Sequence, residues 1–208
     1  PRLFCGISAG CLDSMLAHYT AFRKKRRDDA YTPGGMAGAR PNRACIVYAN
    51  LARQAFPGLP VVLGGIEASL RRAAHYDFWS DSLRRSLLFD AKADLLLYGM
   101  GERSLVEVAE RLDQGRDLAG IRGSAWIASP DTPGDHLPSY EDILAEPRRL
   151  LDATLALEQH VQRAEGVLLQ AHGNRLLAIA PPAEPLSTAE LDAVHELQIG
   201  RASCRERV

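Results

Sequence analysis

The sequence predicts an α/β fold in which a parallel sheet is flanked by helices and followed by a further helix and a β-hairpin. Short apolar runs alternate along the chain with amphipathic segments, the order that βαβ units produce. Two of those runs end in glycine, LGG at 63–65 and LYGMG at 97–101, and glycine-rich strand ends are where doubly wound sheets receive ligands. Beyond residue 130 the pattern changes to one long helical period and then two apolar runs divided at HGN, a hairpin signal.

Residues 3–8 read as the first strand and residues 12–26 as the helix after it. The segment DDAYTPGGMAGARP, 28–41, holds too much Pro and Gly for regular structure and is long enough to imply a functional or interdomain role. Asn42 is placed to cap a helix that ends near Phe56, before Pro57. Residues 59–63 form a buried strand that Gly64 and Gly65 terminate. Residues 66–91 mix aromatic, basic and acidic side chains, so a helix, an irregular loop and a second helix are expected there. The clearest strand is 94–98 and the clearest helix 102–112, with Leu105, Val108, Ala109 and Leu112 on one face. Residues 123–128 give one more strand, 129–139 a loop, 140–162 a single long helix, and GVLLQA with RLLAIA the hairpin.

This order divides the chain into a Rossmann-like domain over 1–130 and a helix-plus-hairpin linker over 131–198. Residues 199–208, IGRASCRERV, break the preceding composition and read as the translation of a sequencing adapter, so they are set apart from the fold. Pro1 leads into a strand without an initiator Met, and both ends are expected to be incomplete.

With 46% hydrophobic and 25% charged residues over 208 positions, there is enough apolar material for a real core. No apolar run approaches the roughly 18 residues of a membrane span, and the start lacks the layout of a signal peptide, so a soluble, cytoplasmic protein with no membrane partner is expected. The chain's net charge is −1 and the tail's is +2, so the rest carries −1 − (+2) = −3, and this mild acidity argues against a nucleic-acid partner. Outside the tail, Cys5, Cys11 and Cys45 match no zinc or iron-sulfur spacing and read as small buried hydrophobes in a reducing compartment.

Four motifs carry possible chemistry. Gly6-Ile7-Ser8-Ala9-Gly10 fits the G-x-S-x-G nucleophile elbow between a strand and a helix, with His136 or His172 as the formal base of a serine hydrolase. Both histidines sit in turn-like segments, which favours a tight turn of small residues instead. Gly99-Met100-Gly101 opens a helix, where free N–H groups receive polar ligands, but Ser104 replaces the third glycine of a dinucleotide fingerprint. Arg23, Lys24, Lys25, Arg26 and Arg27 form a basic run that reads as a solvated helix end, and HYDFWSD at 75–81 reads equally as a packed loop or a docking surface.

The pieces DDAYTPGG, GGIEASLRR, HYDFWSD and AKADLLLYGMGE together resemble the amino-terminal region of YgiQ-family radical SAM proteins, and NRLLAIAPPAEPLSTAELDAVHEL resembles the stretch leading into that family's catalytic core. The resemblance implies a parent that reductively cleaves S-adenosylmethionine at a [4Fe-4S] cluster, acting on an unknown substrate, with a C-x3-C-x2-C motif that is absent here. The core of the same chain is then this region's partner, and the fragment alone is expected to be non-catalytic. The resemblance also implies a cobalamin-binding-domain-like sheet, with Gly64, Gly65, Glu67, Gly99, Gly101 and Glu102 as the cofactor-binding candidates and cobalamin as a possible ligand. The rival readings are the serine hydrolase on GISAG and a stand-alone small-molecule-binding α/β module.

Overall fold

The computed structural model describes residues 2–197, so the tail at 199–208 lies outside the described residues. The chain begins with β1 (Cys5–Ile7), α1 (Ser14–His18), α2 (Ala44–Ala55), β2 (Val61–Leu63) and α3 (Gly65–Leu70). It continues with β3 (His75–Asp77), β4 (Ser82–Arg84), α4 (Leu87–Asp90), β5 (Leu95–Leu97), α5 (Glu102–Asp113) and β6 (Ser124–Ala128). The last elements are β7 (Asp135–His136), α6 (Tyr140–Ala145), α7 (Arg149–Arg163), β8 (Leu168–His172), β9 (Arg175–Ile179) and α8 (Thr188–Glu196).

Seven strands form one sheet in the order β1-β2-β5-β6-β9-β8-β7, and β3 pairs with β4 apart from it. The first three strands are parallel and connected through helices, which is the α/β, Rossmann-like class expected from the sequence. From β5 onward the pairings β5–β6, β6–β9 and β9–β8 are antiparallel, and β8–β7 is parallel. Strand direction is not written in apolar composition, so this half was not foreseen.

The central strands are apolar throughout because both faces are covered. Val61, Leu63 and Leu96 pack with Cys45 and Ala49 of α2 and with Leu88 and Phe89 of α4. The alternate residues Val62, Leu95 and Leu97 pack on the other face with Val108 of α5, Ile121 and Trp126. Burial of each such leucine contributes roughly 2 kcal/mol.

Several expected elements differ. The first helix ends at His18 rather than at residue 26, because the chain folds back and Arg26 satisfies the helix end: its N–H donates to His18 O at 2.8 Å and its Nε to Leu16 O at 3.0 Å. Arg43, not Asn42, is the residue preceding α2, and it stands in the left-handed region. The irregular loop expected within 66–91 contains the β3–β4 hairpin. The helix expected at 140–162 breaks into α6 and α7, since Pro147 forces Glu146 into an extended conformation. The hairpin expected as a linker instead continues the main sheet, through β9 on β6.

Candidate functional site

The carboxyl ends of β1, β2 and β5 open on a crevice of about 430 Å³. Its floor is backbone: Gly64 and Gly65 follow β2, and Gly99 and Gly101 follow β5. Ile7, Leu63, Leu97 and Leu105 supply apolar walls, and Glu102 in the first turn of α5 supplies a carboxylate. The turn geometry is fixed locally. Gly64 N–H donates to Ile7 O at 2.9 Å, and Gly99 N–H donates to Ser69 Oγ at 3.1 Å.

Gly65 requires its residue type. Its φ is +80°, and a Cβ there would sit 3.0 Å from Ser8 Oγ. Gly64 and Gly101 have negative φ and no neighbour closer than 3.9 Å to an added Cβ, so their openness belongs to the crevice and not to the fold. Glu102 Oε2 is shielded from solvent and has no hydrogen-bond partner in the protein. An unpartnered buried carboxylate oxygen is costly unless a donor fills it.

Five of the six cofactor-binding candidates therefore converge on one crevice, and Glu67 does not. Glu67 is 1% exposed, beneath the turn, and both carboxylate oxygens are engaged. Oε2 accepts from Ser14 N–H at 3.0 Å and Ser14 Oγ–H at 2.6 Å, while Oε1 accepts from Cys45 N–H at 3.0 Å. Next to it Asp13 caps α1 through Met15 N–H and Leu16 N–H and pairs with Arg71. This buried network locks α1, α2 and α3 beneath the crevice, and its partners lie too far apart in sequence for any local motif to signal it.

Ser8 edges the crevice, but its Oγ accepts a hydrogen bond from Gly10 N–H at 2.9 Å, the behaviour of a turn residue. The formal bases stand elsewhere. His172 is on β8 and His136 on β7, five and six strand positions from β1, roughly 24 Å or more away at ~4.8 Å per strand. A hydrolase triad on GISAG is geometrically excluded with either base.

His172 has a structural role. It is 3% exposed, stacks on Tyr140 with ring centroids 5.7 Å apart, and lies 3.1 Å from Gln170 Oε1 through Nε2. Burial, reinforced by Arg85 and Arg175, pulls its pKa down to about 4. His75 is likewise pulled down to about 4, mainly by burial.

Cys5 and Cys45 are buried in the core and Cys11 is exposed. Among the described residues, no three His, Cys, Asp or Glu side chains gather where they could hold a metal ion. No helix among them is long and apolar enough to cross a membrane.

Comparison with known proteins gives the chain its relatives. The family described as Radical SAM N-terminal matches residues 1–206, a stretch that runs into the tail set apart above. The UPF0313 protein of Geobacter sulfurreducens is 52% identical over 97% of this chain and 35% of its own length. That of Thermotoga neapolitana is 47% identical over 97% of this chain and 36% of its own length, and a putative UPF0313 protein of Yersinia pestis is 39% identical over 97% and 33%. The chain thus spans about a third of the length of the curated relatives it matches. No solved structure matches it significantly. With the family matched along nearly every residue, and the YgiQ-type motifs drawn from the sequence in agreement with it, this chain belongs to the radical SAM N-terminal family.

Proposed function

We propose that this chain is the amino-terminal domain of a radical SAM enzyme, and that its crevice forms one wall of the chamber in which the parent's chemistry occurs. The observation that carries the reading is the family match across residues 1–206 of a chain that spans about a third of its relatives. The radical SAM core, the domain's partner within the same polypeptide, holds the [4Fe-4S] cluster and S-adenosylmethionine. When bound there, the cluster supplies the electron that cleaves S-adenosylmethionine to a carbon radical.

Among the described residues, the cysteines do not fit such a cluster. An open-iron site needs three thiolates close together, whereas Cys5 lies on β1, Cys45 on α2, both in the core, and Cys11 is exposed in a turn. No step of the reaction is assigned to them. The work left to this domain is binding and shielding. Glycine backbones allow close approach, leucine walls exclude water, and the unpartnered Glu102 Oε2 favours a ligand that presents a hydroxyl or amine donor. No histidine stands among the residues that line the crevice, and the reading stands without cobalamin.

The experiment introduces Gly64→Val and Gly101→Val into the full-length parent and measures 5′-deoxyadenosine release from S-adenosylmethionine under dithionite. Gly65→Val is unsuitable, because its positive φ makes it a folding variant. Release of 5′-deoxyadenosine should fall at least tenfold with iron content and thermal midpoint unchanged. Full activity in both folded variants would remove the crevice from the chemistry.

A further inference from the structure

The basic run at 23–27 and the glycine-rich loop at 28–41 meet over the end of α1, around a second cavity that shares no lining residue with the crevice. Its volume is about 510 Å³. One side is the back-folded segment in which Tyr19 bridges Lys25 and Arg26 is bonded to the carbonyls of Leu16 and His18. The other side is the end of the glycine-rich loop. Arg40 holds that loop in place through Asp29 Oδ2, at 2.9 and 2.7 Å, and through Ala9 O at 3.2 Å.

His18 stands at the base of this cavity and is 8% exposed. Its Nδ1 lies 2.7 Å from Asn42 Oδ1, and Asn42 Nδ2 donates to the Tyr19 hydroxyl at 3.2 Å. A carboxamide oxygen can only accept, so Nδ1 carries the hydrogen. The other ring nitrogen, Nε2, is shielded from solvent and has no partner in the protein. Three cations, Lys25, Arg26 and Arg40, line the same cavity, and no carboxylate does. Of the three, Arg40 is neutralised by Asp29, whereas Lys25 and Arg26 have no acidic group within 4.0 Å among the described residues.

We propose that this cavity binds the phosphoryl group of a phosphorylated small molecule. A dianion offsets the charge of Lys25 and Arg26, whose N–H groups donate to its oxygens, and a hydroxyl of the ligand can donate to the bare Nε2 of His18. The cavity exceeds a bare phosphate in size, which leaves room for an attached group about as large as a sugar.

Calorimetric titration of the 208-residue chain with ribose 5-phosphate, inorganic phosphate and ribose tests this at matched ionic strength, alongside nitrogen-15 spectra of the histidine side chains. Ribose 5-phosphate should bind and inorganic phosphate should bind more weakly. Both should move the His18 Nε2 resonance, while ribose does neither. Lys25→Glu, at an exposed position, should weaken ribose 5-phosphate at least tenfold with the thermal midpoint unchanged, and His18→Gln should weaken it several-fold. Binding by Lys25→Glu at wild-type affinity would overturn the assignment. So would a His18 resonance that chloride moves as far as phosphate does.

Discussion

A single side chain, Glu67, shows how close a structural group can lie to a ligand site without joining it. It lies two residues after Gly65 and resembles a crevice residue in sequence, yet its partners Ser14 and Cys45 lie 53 and 22 positions away. Removing it leaves two backbone N–H groups and a hydroxyl without acceptors in a dry interior. Glu67→Ala is therefore expected to lower stability by about 3 kcal/mol, read from urea denaturation, and an unchanged midpoint would show that the network does not hold the turn. His172 makes a second residue-scale prediction. The unfolded chain takes up this proton near the ordinary 6.5 and the folded chain only near 4, so stability falls as pH drops from about 6.5 toward 4 and changes little with this group below that. The loss from this group is on the order of 2 kcal/mol at pH 5. His75 acts in the same direction. His172→Gln should therefore shrink, without abolishing, the difference between urea midpoints at pH 7.5 and pH 5; an unaltered difference would mean that His172 already charges freely in the fold.

Legibility changes from element to element for physical reasons. The strands β2 and β5 were readable because both faces are buried and every residue is apolar. The crevice was readable with them, since a Gly-Gly and a Gly-x-Gly after buried strands fix its floor. By contrast, β3 and β4 are three-residue strands of mixed polarity, HYD and SLR, held by their mutual pairing and carrying no periodic signal. The length of α1 is set by Arg26 capping carbonyls 8 to 10 residues back, a contact no local pattern encodes. The break between α6 and α7 was encoded, in Pro147, and the helical period around it outweighed the proline in the reading. The β8–β9 hairpin looked like an appendage because it comes last. In the fold its Leu177 and Ile179 belong to one core and its Leu169 and Ala178 to the other. A chain truncated after residue 163 should consequently lose cooperative thermal unfolding altogether, as measured by circular dichroism. A sharp transition retained by that truncation would show that β1 to β6 form a self-sufficient unit.

At the scale of the whole molecule, the domain offers a sheet with one glycine-floored crevice, cysteines scattered through core and turn, and membership of the radical SAM N-terminal family. The central claim is a division of labour: this region shapes and shields, and the remainder of the parent carries the cluster. Anaerobic reconstitution with iron and sulfide, followed by absorbance and electron paramagnetic resonance, compares the 208-residue chain directly with a full-length parent. The account predicts a reducible [4Fe-4S] signal and S-adenosylmethionine cleavage in the full-length protein only. A reducible, S-adenosylmethionine-cleaving cluster in the 208-residue chain, or none in the full-length one, would contradict it.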